Sequence, residues 1–126
     1  MAIQNVTFDR KNGNPVVDVL IGQAHHGSYR LYLWDADGKN SRLIGSGINW
    51  DSVKDEFDLG PVGNLDQKII TWEIAISAED SAPGQNYSVK VSFSQNGVSI
   101  TQGNFEEAGP LSGSKFIYGA RKISVS

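Results

Sequence analysis

Tyr87-Ser88-Val89-Lys90-Val91-Ser92-Phe93-Ser94-Gln95-Asn96-Gly97-Val98-Ser99-Ile100-Thr101 is the stretch from which the fold class follows. Tyr87, Val89, Val91 and Phe93 alternate with serines and Lys90. Period two with β-branched and aromatic residues describes a strand with one buried face. Asn96-Gly97 then suits a two-residue type I′ turn, because both of its positions need positive φ. That turn predicts a register: Gln95 opposite Val98, Ser94 opposite Ser99, Phe93 opposite Ile100 and Ser92 opposite Thr101. Apolar side chains then meet on one face and hydroxyls on the other, so turn chemistry and hydrophobic pattern agree.

Working outward, Ile70, Trp72, Ile74 and Ile76 alternate with Thr71, Glu73 and Ala75 as a second strand. Val16–Ile21 reads as another, Ile3–Phe8 as a weaker one, and Lys115–Val125 as a long final strand in which Gly119 predicts a bulge or bend. Ser28–Trp34 and Ser41–Gly45 form a hairpin through residues 35–40, with a two-residue turn at Asp37-Gly38. Residues 47–64 and 103–114 read as irregular, with a helical turn around Ser52–Glu56. About eight strands separated by turn signals, with no window of period 3.6, predict an all-β, antiparallel two-sheet sandwich. One domain over residues 1–126 is expected from the length.

Ala82-Pro83-Gly84-Gln85-Asn86-Tyr87-Ser88-Val89-Lys90-Val91 resembles the tyrosine corner of immunoglobulin-like and fibronectin type III-like sandwiches. The resemblance implies a Tyr87 hydroxyl bonded back to the preceding loop, Trp72 as the large core residue, and a sandwich in preference to a barrel. It also implies binding or spacing roles more often than catalysis.

Composition narrows the chemistry. The chain has 126 residues, no cysteine and a net charge of −3 from 11 basic and 14 acidic residues. Disulfides, thiolate zinc sites and cysteine nucleophiles are excluded. The scattered charges form no basic stripe, so nucleic acid is not an expected partner. No apolar run approaches the ~20 residues of a membrane span. Met1–Arg10 lacks the layout of a signal peptide. That leaves a cytoplasmic chain, export by another route, or a leader already cleaved.

His25 and His26 are the only histidines. Adjacent residues on an extended chain point to opposite sides, which argues against one shared metal ion. A serine triad would have to use one of them, yet no serine lies in a G-x-S-x-G elbow; Ser46, in Gly45-Ser46-Gly47, fits a turn. A small hydrolase, by triad or by paired carboxylates, is therefore the third-ranked reading, and no cofactor is expected. Asp35, Asp37 and Asn40 gather three oxygen-bearing side chains in one loop, as calcium prefers. They are ordinary turn residues too, and a calcium site would need Glu79, Asp80, Glu106 or Glu107 from elsewhere.

The strand Tyr29–Trp34 points to function. With Tyr29, Leu31 and Leu33 facing the core, Arg30, Tyr32 and Trp34 face out. The hairpin turn pairs Leu31 with Ile44 inside and Tyr32 with Leu43 outside. Val16, Asp18 and Leu20 likewise oppose Val17, Val19 and Ile21. Placing both strands in one sheet predicts a sheet that is apolar on both faces, and such patches usually mark a partner. Either residues 47–64, carrying Trp50 and Phe57, fold back over this face, or another chain covers it. The leading expectation is a non-enzymatic interaction module that binds another protein, or itself as a homo-oligomer, through Val16, Leu20, Arg30, Tyr32, Trp34, Leu43 and Trp50. The alternative is a carbohydrate-binding module, calcium-assisted or not, in which Trp34, Trp50 and Tyr32 stack on sugar beside Asp35, Asp37, Asn40 and Asn49.

Overall fold

The computed structural model describes residues 3–22, 26–49, 53–77 and 85–126, with all their side chains except those of His26 and Asn49. Among the described residues nine strands follow one another: β1 Asn5–Phe8, β2 Pro15–Gly22, β3 His26–Trp34, β4 Ser41–Asn49, β5 Asp55–Asp58, β6 Ile69–Ser77, β7 Asn86–Gln95, β8 Val98–Pro110 and β9 Ser114–Val125. A 3-10 turn at Val62–Asn64 precedes β6. The strands form two open sheets, ordered β1-β9-β6-β3-β4 and β5-β2-β7-β8. The molecule is a two-sheet sandwich and not a closed barrel. All pairs are antiparallel except β1 with β9, which run parallel from Asn5 opposite Lys122 to Phe8 opposite Val125.

The Asn96-Gly97 turn forms as the sequence requires, with φ of 52° and 77°. Gln95 faces Val98, Ser94 faces Ser99 and Phe93 faces Ile100. The expected Ser92–Thr101 pair does not form: the register shifts there, and Val91 faces Phe105. The reason is tertiary. Gly103 packs where a Cβ would stand 2.7 Å from Val6, and the displaced carbonyls of Gly103 and Asn104 accept the buried Arg121 guanidinium at 2.9 and 3.2 Å. β8 then resumes to Pro110, so most of residues 103–114 is strand and not irregular. Residues 47–64 also carry more structure than expected. β4 continues to Asn49 and β5 occupies Asp55–Asp58, where the expected helical turn ended.

The core lies between the sheets. Val17, Val19, Ile21, Val89, Val91 and Phe93 come from one sheet, and Leu31, Ile70, Trp72, Ile74, Ile76 and Ile123 from the other. Trp72 explains Gly119. The β6–β9 register runs unbroken, with Trp72 opposite Gly119, so no bulge forms. A Cβ on Gly119 would lie 2.3 Å from the Trp72 ring; the glycine makes room for the indole. Arg121 stacks on the far side of this group, 5.3 Å from the Trp72 ring centroid and 6.0 Å from that of Phe105.

Tyr87 is buried, and its hydroxyl donates to Glu107 Oε2 at 2.9 Å, across to β8. Ala82–Gly84 lie outside the described residues.

Candidate interaction surface

Side chains alternate across a strand, so the register fixes what each sheet shows to solvent. On the outer face of the five-stranded sheet, β9, β6, β3 and β4 present successive rows. Phe116, Ala75, Ser28 and Ile48 form the first, and Tyr118, Glu73, Arg30 and Ser46 the second. Ala120, Thr71, Tyr32 and Leu43 form the third; Lys122, Ile69, Trp34 and Ser41 form the fourth.

The large apolar members are uncovered in the monomer. Phe116 is 66% exposed, Tyr118 67%, Ile48 68% and Leu43 53%. Tyr32 and Trp34 are half-buried, in part against each other, with ring centroids 6.4 Å apart. The Trp34 indole donates to Thr71 Oγ1 at 2.9 Å, which locks its orientation. The first two rows enclose a depression of about 440 Å³, floored by the small Ser28 and Ala75 and walled by Phe116, Tyr118 and Ile48. Arg30 and Glu73 stand side by side in it. Among the described residues neither enters an ion pair.

The expected site is therefore partly assembled and partly divided. Arg30, Tyr32, Trp34 and Leu43 share this face, and Tyr32 faces Leu43 as the hairpin predicts. Leu31 faces Gly45 and not Ile44, because Ile44 is the extra residue of a bulge. The connecting loop closes on Asp35, whose carbonyl accepts from Gly38 at 2.8 Å and whose N–H donates to Asn40 O at 3.0 Å. That geometry replaces the expected two-residue turn.

Val16 and Leu20 do not belong with this set. β2 lies in the other sheet, between β5 and β7. Both side chains are half-buried on the opposite outer face, beside Lys90, Ser92, Ser94, Asp58 and Glu56. That face is charged and internally paired: Lys90 meets Glu106 at 3.2 Å, and Lys54 meets Glu56 at 3.2 Å and Asp18 at 3.7 Å.

Nor does the described part of residues 47–64 fold back over the five-stranded sheet. β5 pairs with β2 across the sandwich. Phe57 turns inward, edge-on to Tyr29 at 6.0 Å, in space left by Gly45. The Tyr29 hydroxyl donates to Asp55 at 2.5 Å and passes over Gly47, where a Cβ would come within 2.6 Å of it. Burial, then that bond, raise the Tyr29 pKa well above its ordinary value. Trp50 lies outside the described residues.

The Asp35 carboxylate is engaged by Lys68 Nζ at 2.8 Å and by Asn40 Nδ2 at 3.1 Å, contacts that lower its pKa. Asp37 accepts the Lys39 backbone N–H at 3.0 Å. Asn40 thus offers Asp35 a donor. Among the described residues no three His, Asp or Glu side chains converge to hold a metal ion. Glu106 and Glu107 bind Lys90 and Tyr87 respectively, while Glu79, Asp80 and His25 lie outside the described residues. Among those residues no helix is long and apolar enough to cross a membrane.

Phe116, Tyr118 and Ile48 were not singled out from sequence. The signal was present: Ile117 and Ile123 lie six residues apart and so share a face, which sends Phe116 and Tyr118 outward. It is masked because that inward face also carries Gly119 and Arg121. Comparison with protein-family models, with curated proteins and with solved structures finds no match.

Proposed function

We propose that this protein is a non-enzymatic interaction module whose working surface is the outer face of the five-stranded sheet. The observation that carries the reading is the exposure of Phe116, Tyr118, Ile48 and Leu43 on one continuous face. Contiguous apolar patches on a monomer usually mark a contact surface. Aromatic residues around an arginine are also the composition that concentrates binding energy. Trp34→Asp tests the reading. The variant should keep the wild-type circular dichroism spectrum and lose the assembly that the wild type forms, read by light scattering and by affinity capture. Unchanged assembly in a folded variant would sink it.

A second reading, carbohydrate binding, draws support from the depression itself. Phe116 and Tyr118 supply ring faces, and Arg30, Glu73, Ser28 and Ser46 supply hydrogen-bonding groups beside them. A glycan array with and without calcium decides it: binding lost in Tyr118→Ser supports a sugar site, and silence in both conditions removes it.

A further inference from the structure

Resting on the interaction reading above, we propose that the occupant of this face is a second copy of the chain. The two sheets stack face to face about a two-fold axis that runs parallel to the strands, between β3 and β6.

Such an axis keeps each row and reverses its order, so β6 lies over the partner's β3 and β9 over the partner's β4. In the second row, Glu73 then meets the partner's Arg30, and Arg30 meets the partner's Glu73. Tyr118, 67% exposed, meets the partner's Ser46. In the third row, Leu43 meets the partner's Ala120, and Tyr32 meets the partner's Thr71. In these two rows large side chains face small ones and Glu73 faces Arg30, while in the fourth row Trp34 meets the partner's Ile69 and Lys122 meets the partner's Ser41. In the first row, Phe116 meets the partner's Ile48 at both rims and closes the depression over Ser28 and Ala75.

The charges select this axis over a perpendicular one through their own row. A two-fold axis perpendicular to the strands, through the second row, would set Glu73 on the partner's Glu73 and Arg30 on the partner's Arg30. Like charges in a closed contact cost heavily. The self-complementary arrangement is what an isologous dimer requires, with sheets about 10 Å apart and their strands within about 30° of each other.

The size is also suitable. Four strands by seven residues cover roughly 20 by 23 Å. Exposed side chains corrugate that footprint, which brings its accessible area toward the ~800 Å² per partner of a standard interface. The aromatic and aliphatic rims exclude water, and the central ion pairs set the register more than the affinity.

Two charge reversals test the arrangement. Arg30→Glu leaves two carboxylates in the row, and Glu73→Arg leaves two cations. Sedimentation velocity and native mass spectrometry should give wild type at twice the 13.7 kDa chain mass. Each variant alone should self-associate at least roughly tenfold more weakly, whereas their equimolar mixture should return to within about threefold of wild type as a heterodimer. Should either variant lose its circular dichroism spectrum, Leu43→Lys and Ala120→Glu, which face each other in the same dimer, are read the same way.

A wild-type monomer throughout the micromolar range overturns the proposal, as does wild-type capture on anionic vesicles as a monomer. The interaction reading then stands or falls separately, on whether Trp34→Asp loses whatever the wild type captures. A dimer that survives both charge reversals uses another surface and overturns the proposal too.

Discussion

The two outer faces of this sandwich have been built by opposite rules. The four-stranded sheet shows solvent Ser88, Lys90, Ser92 and Ser94 beside Glu56, Asp58 and Glu106, with its lysines paired to carboxylates and its Val16 and Leu20 half-buried among them. The five-stranded sheet shows Phe116, Tyr118, Ile48 and Leu43 around Arg30 and Glu73. Both sheets bury an inner face. Core formation therefore demands nothing of the outer rows. The fold itself is served by the first kind of face, so the second kind calls for a reason of its own, which is the role proposed for a partner.

The difference depends on which way β9 faces. Phe116 and Tyr118 point out because Ile117, Gly119, Arg121 and Ile123 point in. Gly119→Val attacks that arrangement directly. Its side chain would enter the Trp72 ring, where even a Cβ lies at 2.3 Å. The expected cost is about 3 kcal/mol, the largest effect here, because indole and β9 backbone cannot both stay in place. Urea unfolding measures it. A variant of wild-type stability would mean that Trp72 has room to move aside and that Gly119 does not set the face.

Arg121→Met is a milder attack. Methionine keeps the apolar packing on Trp72 and Phe105 but removes the guanidinium. The carbonyls of Gly103, Asn104 and Ala120 then lose their donor inside the sandwich. Leaving such acceptors unpaired costs about 2 kcal/mol. A midpoint matching that of wild type would show that water replaces the guanidinium at the bulge and that Arg121 contributes through its stem alone.

These two positions also explain what sequence could and could not reveal. The 87–101 hairpin was legible because its determinants are local: an Asn-Gly turn and a period of two. Its register holds for three pairs and fails at Thr101, where a distant residue, Arg121, claims the backbone carbonyls. The Tyr32–Leu43 pair was legible for the same local reason, and the bulge beside it was not, since Gly45 must clear Phe57 from the other sheet. Joining β2 to β3 in one sheet follows the habit that consecutive strands are neighbours. Here β2 and β3 lie in different sheets instead. Four of the seven expected residues, Arg30, Tyr32, Trp34 and Leu43, still share one face because they came from one hairpin. Val16 and Leu20 do not, because their placement depended on sheet assignment.

Asp18 offers the smallest and most specific probe, this time of the polar face. It sits on β2 between Glu56 and Ser92, is 8% exposed, and has one buried oxygen, Oδ1, without a hydrogen-bond partner. Burial raises its pKa above the ordinary 3.8, and the attraction of Lys54 at 3.7 Å offsets this only in part. The folded state thus favours protonation of this carboxyl more than the unfolded chain does. The stability this group contributes is fully present below the unfolded pKa and is lost as pH rises through the folded one. At neutral pH the carboxylate is a liability, and Asp18→Asn should raise the melting temperature by about 2 °C. That gain should shrink toward zero as pH falls to the ordinary carboxylate range, because wild-type Asp18 is then neutral as well. A variant that melts lower than wild type at pH 7 would mean that the ion pair with Lys54 outweighs desolvation. The charged face would then be held together by its pairs and would not merely tolerate them.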